Sequence, residues 1–442
     1  MKNRRILAID LGSAYTKIAV RQDWNAQANL FHDLPLAAPD VDFCIPSVVA
    51  RTERGGAAAW KIGSSAAAEV PGDGVTIHRY WKARLFSPEP GTEAARDEMG
   101  SSFDADGATD YREVAVHFFR ELRESLERSR FADALRECTV RVCVPRMETR
   151  EDTDALLADV LDRSGWRPAK GRTTVFEPES NACGVFTRGR NATWFPPRVS
   201  FMPSEGRSLQ LRDMLEPEGL LEAFRRVSGS FGVLVIDIGG FTTDFGYVEF
   251  DTSFSSASWQ RPRIVQQSYE LGIRELDHAI FHTLSDEARQ LVEHLSSGEW
   301  DEVKSRLYHG DTVVLEDAAG RPATIGREED FERTAGVIQA FAARVIEVRD
   351  RFCQAYVRGP INAQTLTGGG AMISSIRQAI SRELASDAAT HVHDLLDEAE
   401  PERTLTARGD RFDGSDVEAR ARRNLELVRG ASAIGGCSVF FE

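Results

Sequence analysis

The chain has 442 residues, 42% of them apolar, and a formal net charge of −15 at pH 7. That length can bury more than one core, and the acidic balance argues against nucleic acid or an anionic membrane as partner, because the long-range field repels both. The six cysteines (Cys44, Cys138, Cys143, Cys183, Cys353, Cys437) show no C-x-x-C spacing, so they read as buried thiols of a reducing compartment and give a zinc site no support. The start Met1 to Arg5 has the charge of an export signal, but the apolar run after it breaks at Asp10, and no later run is long enough to span a bilayer. A soluble, cytoplasmic protein without a targeting segment is expected.

Taken in order, Ile6 to Ile9 predict a strand that leads into Asp10-Leu11-Gly12-Ser13-Ala14-Tyr15-Thr16-Lys17 and returns through Ile18-Ala19-Val20. Residues about 40–106 read as a smaller subdomain, with turn signals at Pro71 to Gly74 and Pro88 to Gly91. Within it Thr76 to Phe86 sets basic residues among aromatics, which reads most simply as a solvated edge. Asp110 and Glu113 open a helix with Val114, Phe118, Leu122 and Leu126 on one face. Cys138 to Val144 is a buried strand stopped by Pro145. Thr149 and Asp152 cap a helix through Leu156, Val160 and Leu161 to Gly165, and a strand over Thr173 to Phe176 completes a βαβ unit. Glu177, at that strand's end, suits either a catalytic acid or a charge favoured by a helix start.

Residues 188–229 read as an insertion, with a short helical pattern from Leu215 to Phe224. The central feature follows, G-V-L-V-I-D-I-G-G-F-T-T-D-F-G-Y-V-E-F over Gly232 to Phe250. It is a strand, a glycine turn able to reach positive φ and to aim N–H groups at an anion, and a returning strand. Leu276, Ile280 and Leu284 mark a helix, Glu287 to Leu307 a charged helical stretch, Asp311 to Glu316 a strand, and Arg327 to Tyr356 one or two helices. Gln364 to Thr367 is a strand that runs through Gly368-Gly369-Gly370 into a helix with Ile373, Ile376 and Ile380. The polar stretch Asp397 to Arg423 ends in a solvated helix face, and Leu427 to Gly436 is a small-residue helix suited to close packing.

Aligned on each other, the two hairpins match Asp10 with Asp237, Gly12 with Gly239, Ser13 with Gly240, Thr16 with Thr243 and Lys17 with Asp244. A cation in one turn and a carboxylate in the other are the two roles phosphoryl transfer needs. On these motifs the chain resembles the actin, sugar-kinase and seventy-kilodalton heat-shock ATPase superfamily. Its nearer likeness is to the chaperone's nucleotide-binding module, through Val142-Cys143-Val144-Pro145, Glu177-Pro178, Leu271-Gly272 with Leu276-Asp277, and Arg429-Gly430-Ala431.

The resemblance implies an α/β fold of two duplicated lobes with ATP or ADP between them. Lobe I would be residues 1–187 and 425–442, and lobe II residues 230–424 with a smaller subdomain at about 285–330. It implies that Asp10 and Asp237 hold magnesium, largely through water, with Glu177 close by and Asp244 orienting the attacking water. Gly12, Ser13, Ala14, Tyr15, Gly239, Gly240, Phe241 and Thr242 would contact phosphates, Lys82 (the chaperone-type position) or Lys17 (the actin-type position) would serve the γ-phosphate, and Glu302, Arg306 and Gly368 to Gly370 would hold adenosine. Met372 stands where the chaperone has an arginine over the base. Neither the chaperone's apolar linker nor its peptide-binding domain follows, so a stand-alone ATPase read by a partner protein or co-chaperone is expected. An actin-like, self-associating filament former is the alternative. A small-molecule kinase lacks an acceptor-site signature here, and the retained acids disfavour a sensor that does not hydrolyse.

Overall fold

A computed structural model of the chain describes residues 5–22, 28–39, 41–54, 57–70, 72, 74–86, 109–146, 153–169, 173–187, 229–251, 263–292, 295–316, 322–325, 328–385, 391–393 and 414–438. The architecture is mixed α/β. Strands β1 (Arg5–Leu11) and β2 (Tyr15–Arg21) pair antiparallel, and β3 (Asn29–Leu30) and β4 (Ile45–Pro46) both add to β2. A separate sheet follows, ordered β6-β5-β7, from β5 (Val49–Arg54), β6 (Ala57–Ile62) and β7 (Val75–His78). Strands β8 (Cys138–Val144) and β9 (Thr174–Phe176) then extend the first sheet in parallel, giving β3-β2-β1-β8-β9.

The same plan is repeated downstream. Strands β10 (Ser230–Ile238), β11 (Thr243–Asp251) and β12 (Arg263–Tyr269) form an antiparallel meander, and β13 (Val313–Glu316) and β14 (Pro322–Ile325) a small hairpin. Strands β15 (Ala363–Thr367) and β16 (His391–His393) add in parallel to give β12-β11-β10-β15-β16. Strands β1 and β10 are buried almost throughout, as central strands covered on both faces are. Two apolar clusters form the core, one around Leu7, Ile9, Trp81 and Phe118, the other around Ile236, Phe245, Trp300 and Phe352 and reaching Val48, Ala50 and Ile77.

Two helices tie the two repeated sheets together. Glu177–Thr187 leaves β9 of the first sheet and packs on β10, β11 and β12 of the second, whereas Gly414–Gly436 packs back on β1, β2, β3 and β8. They meet backbone to backbone, because a Cβ on Gly184 would lie 2.0 Å from the Ala431 carbonyl oxygen and one on Gly435 1.6 Å from that of Ser180. The small-residue run in the last helix is what permits this approach.

Elsewhere the local reading holds with adjustments. Asp110 caps the helix Tyr111–Glu127 by accepting from the Arg112 N–H, and Val114, Phe118, Leu122 and Leu126 are buried on it. Residues Glu287 to Leu307 are not one stretch of helix. They divide into Asp286–Val292 and Ser297–His309, because Ser296 and Glu299 form a reciprocal capping box that starts the second helix anew. Glu328–Tyr356 is a single helix. The turn at Pro88 to Gly91, the cap at Thr149 and Asp152, the helical pattern at Leu215 to Phe224 and residues 397–413 lie outside the described residues. Among the described residues, no helix is long and apolar enough to cross a membrane.

The helix crossing predicts opposite outcomes for two glycines. Gly435→Ala, which places a methyl on the Ser180 carbonyl, should destabilise the protein by about 3 kcal/mol or more. Gly336→Ala, with open space around an exposed helical site, should stabilise it by about 0.5–1 kcal/mol. Denaturant melts of the two variants check the pair.

Candidate functional site

The register of the two central hairpins places Asp10 directly opposite Lys17 and Asp237 directly opposite Asp244. Equivalent positions therefore carry a salt bridge in one hairpin, with Lys17 Nζ 2.9 Å from Asp10 Oδ2, and two acids in the other. The turns face each other, since a Cβ on Gly240 would sit 3.3 Å from that of Ser13. Positive φ is not what the second turn needs, because neither Gly239 nor Gly240 adopts it. Close approach is the reason for glycine there, with a Gly239 Cβ only 2.9 Å from the Thr242 carbonyl oxygen.

The surrounding scaffold takes up the turn carbonyls. The Ser47 N–H donates to Ala14 O at 2.8 Å and its hydroxyl to Gly12 O at 2.6 Å. The Ile273 and Arg274 N–H groups donate to Gly239 O and Gly240 O at 3.0 and 2.9 Å. Among the described residues, no protein acceptor takes the N–H groups of Ser13, Ala14 or Gly240. Such oriented donors suit an anion.

Between the turns lies an inner chamber of about 130 Å³, lined by Asp10, Gly12, Ser13, Ala14, Tyr15, Lys17, Lys82, Glu177, Asp237, Gly239, Gly240, Phe241, Thr242 and Asp244. The sequence-predicted phosphate, metal and catalytic residues thus come together in one place. Both candidate lysines are there. Lys82 reaches Glu177, the first residue of its helix, at 2.5 Å, and both are buried. This corrects the reading of Thr76 to Phe86 as a solvated edge. His78, Arg79, Trp81 and Lys82 are all buried, because carboxylates from distant parts of the chain, Glu177 for Lys82 and Asp301 for Arg79, compensate the charges.

Three buried carboxyl groups, Asp10, Glu177 and Asp244, share this chamber with the half-buried Asp237, and the pKa values of Glu177, Asp237 and Asp244 reflect the crowding. Burial first, then the charge of Asp10, pushes Asp237 up to about 7. Burial, Glu177 and Asp237 push Asp244 well up. Glu177 is also raised, by burial above all, with Lys82 opposing and Asp10 reinforcing the shift. Burial works against the Lys17 ammonium, but the Asp10 charge and hydrogen bond, with Asp237, outweigh it and raise its pKa. Asp244 Oδ2 accepts from the Thr242 hydroxyl at 3.1 Å, whereas its buried Oδ1 has no hydrogen-bond partner among the described residues.

Asp237 is held by residues that sequence reasoning missed. Asn181 Nδ2 donates to its Oδ2 at 2.6 Å, the Ser432 hydroxyl does so at 3.4 Å, and the Thr367 hydroxyl donates to Asn181 Oδ1 at 3.0 Å. These residues come from both crossing helices and β15. Their only signal was polarity at positions the helical pattern buries. Gly368, at φ 88, lets the chain turn beside Asp237, where a Cβ would lie 2.1 Å from Oδ1. The glycines do not run straight into a helix. A 3₁₀ turn, Gly369–Met372, precedes the helix Ser374–Ala385.

A second chamber of about 370 Å³ opens from the first, sharing Ser13, Ala14, Tyr15, Gly240, Gly369 and Arg429 with it. Val48, Ile273, Met372 and Ile373 make it more apolar, and its size suits a small-molecule ligand. The helix Ser297–His309 borders it as expected, but with another face. Glu302 and Arg306 are exposed and do not line the chamber, whereas Asp301, Lys304, Ser305 and Tyr308 do. The apolar residues Val303 and Leu307 set the helix's rotation by being buried. Lys304 bridges Asp277 and Asp301 at 2.7 and 2.9 Å, and Arg79 reaches Asp301 from the other half at 3.1 Å. Tyr80 lies between Arg79 and Arg274, 5.7 and 5.4 Å from its ring, on a backbone at φ 50. A bulky residue is rarely found in that left-handed region.

No protein-family model matches the chain, and no curated protein matches it. The site therefore rests on its own geometry. Among the described residues, no group of three or more His, Cys, Asp or Glu side chains converges to hold a metal directly. The donor set fits a hydrated magnesium ion better, since that ion keeps several waters and needs only one or two carboxylates.

The raised pKa of Asp237 makes a stability prediction. A carboxyl whose folded value lies near 7, against an ordinary 3.8, contributes stability that is present below about 4 and lost as pH rises towards about 7. Asp237→Asn removes that loss and keeps an acceptor oxygen for Asn181. Without ligand, its melting temperature relative to wild type should rise by roughly a few degrees between pH 5 and pH 8, measured by calorimetry.

Proposed function

We propose that the protein is a magnesium-dependent ATPase of the actin, sugar-kinase and heat-shock-chaperone type, nearest to the chaperone's nucleotide-binding module. In this reading the two sheets belong to two lobes that close on ATP, and a partner protein reads the closure. The observation that carries it is the pair of facing turns. They enclose a small polar chamber that continues into a larger, more apolar one, the shape and polarity of a polyphosphate joined to a nucleoside. The repeated sheet plan and the two crossing helices support the two-lobe part of the reading. Six cysteines, none of them in a disulfide, fit a cytoplasmic setting.

In this site Asp10 and Asp237 would hold magnesium through water, and the ion would neutralise phosphate charge as the γ-phosphoryl group leaves. The turn N–H groups of Ser13, Ala14 and Gly240 would bind phosphate oxygens. Asp244 is the water-orienting group, with its buried Oδ1, which has no hydrogen-bond partner among the described residues, facing the attacking water. The Lys82–Glu177 pair borders the same space and orders its wall. Asp301 and Lys304 take the nucleoside role expected of Glu302 and Arg306, because they line the outer chamber. A second reading, an actin-like filament former, is favoured by Lys17, which lies on Asp10 between the turns. Sedimentation of the protein with ATP separates the two readings.

Isothermal titration should show ATP and ADP binding that depends on magnesium; a folded protein with no such binding rules the reading out. In single-turnover hydrolysis, Asp244→Ala should lose roughly 10²- to 10⁴-fold in rate while retaining much of its ATP affinity. Lys17→Ala should lose affinity as well as rate, because its charge meets phosphate in ground and transition states alike. Wild-type turnover in Asp244→Ala would remove that residue from the mechanism.

A further inference from the structure

Three cationic side chains line the inner chamber, and two of them already have a carboxylate. Lys17 lies 2.9 Å from Asp10 and Lys82 2.5 Å from Glu177. Arg429 differs. Among the described residues it makes no ion pair, and its buried Nε has no hydrogen-bond partner. Its polar company is the Cys44 thiol, a weak partner for a guanidinium.

Arg429 also occupies a defined place. It lines both chambers, and the Gly368 N–H donates to Val428 O at 2.7 Å, which fixes the C-terminal helix against the triple-glycine turn one residue before it. A guanidinium at the junction of a polar and an apolar chamber, with no anionic partner among the described residues, has the charge and the forked donor geometry that phosphate binding uses.

We propose that Arg429 binds the phosphate group nearest the nucleoside, at the junction of the two chambers. This rests on the nucleotide reading above and adds to it a residue of the C-terminal helix to which the sequence assigns no such role. That phosphate is common to ADP and ATP and does not react, so Arg429 supplies affinity equally to both nucleotides and little to turnover.

The test is titration of wild type, Arg429→Met and Arg429→Lys with ADP and with ATP, each with magnesium, beside single-turnover hydrolysis and the melting temperature without ligand. Methionine keeps much of the apolar stem, and lysine keeps the charge should the first variant fail to fold. Arg429→Met should weaken ADP and ATP by the same factor, roughly 10- to 100-fold, with saturated turnover within about twofold of wild type. Arg429→Lys should recover part of the affinity, as a point charge without the fork. Unchanged ADP affinity in Arg429→Met overturns the proposal, as does weakened ATP binding with ADP untouched, or a loss in turnover as large as the loss in affinity. Wild-type protein that binds neither nucleotide overturns the functional reading and this proposal together, whereas wild-type binding with an indifferent Arg429→Met overturns this proposal alone.

Discussion

Crowding of four carboxyl groups, three of them buried, in one small chamber is the constraint around which the other features of the site are arranged. Asp10, Glu177 and Asp244 are buried and Asp237 half-buried around a space of about 130 Å³, and among the described residues two lysines pair with them. Left alone, such a group of like charges opposes folding, and the raised pKa values of Glu177, Asp237 and Asp244 express that opposition. Lys17 answers Asp10 across a hairpin, and Lys82 answers Glu177 from the short helix Trp81–Phe86. Asn181, Ser432 and Thr367 hold the remaining acid by hydrogen bonds. Buried acids with strongly shifted pKa values gathered in one chamber are a common feature of functional sites.

The architecture that supports this burial uses one plan twice. Each central hairpin begins where a strand buried on both faces reaches its end, so an aspartate at that end emerges among turn residues and not in the core. The crossing helices then bring the two ends together. Their backbone contact at Gly184 and Gly435 leaves no room for a side chain, and the network from Asn181 and Ser432 to Asp237 spans the same crossing. Packing between the helices and geometry at the chamber are therefore coupled. A displacement of either helix moves a partner of Asp237.

The outer chamber is made differently. Its walls come from the Ser297–His309 helix, the segment around Tyr80 and the turn after β15, and several of its charges are compensated by ion pairs. Asp301 meets Arg79 from one side and Lys304 from its own helix, while Asp277 meets Lys304. The strained backbone at Tyr80 lies among these contacts, where surrounding packing over-determines it. Polar inside and more apolar outside, the two chambers form one continuous recess that suits the proposed nucleotide.

By itself the sequence determined the hairpins, their aspartates, the asymmetry of Lys17 and Asp244, the strand before the glycine turn and the buried faces of most helices. These follow from local periodicity and turn chemistry, which a linear pattern carries. Tertiary structure alone decided which charges could be buried. Lys82 and Arg79 looked solvated because their partners, Glu177 and Asp301, lie far along the chain. It also decided the rotation of the Ser297–His309 helix, where burial of Val303 and Leu307 turns Glu302 and Arg306 outward and Asp301 and Lys304 inward. Asn181, Ser432 and Arg429 acquire meaning only when two helices from opposite ends of the chain cross beside β10. Charge compensation and helix contact are properties of neighbours in space, and no spacing along the chain encodes them.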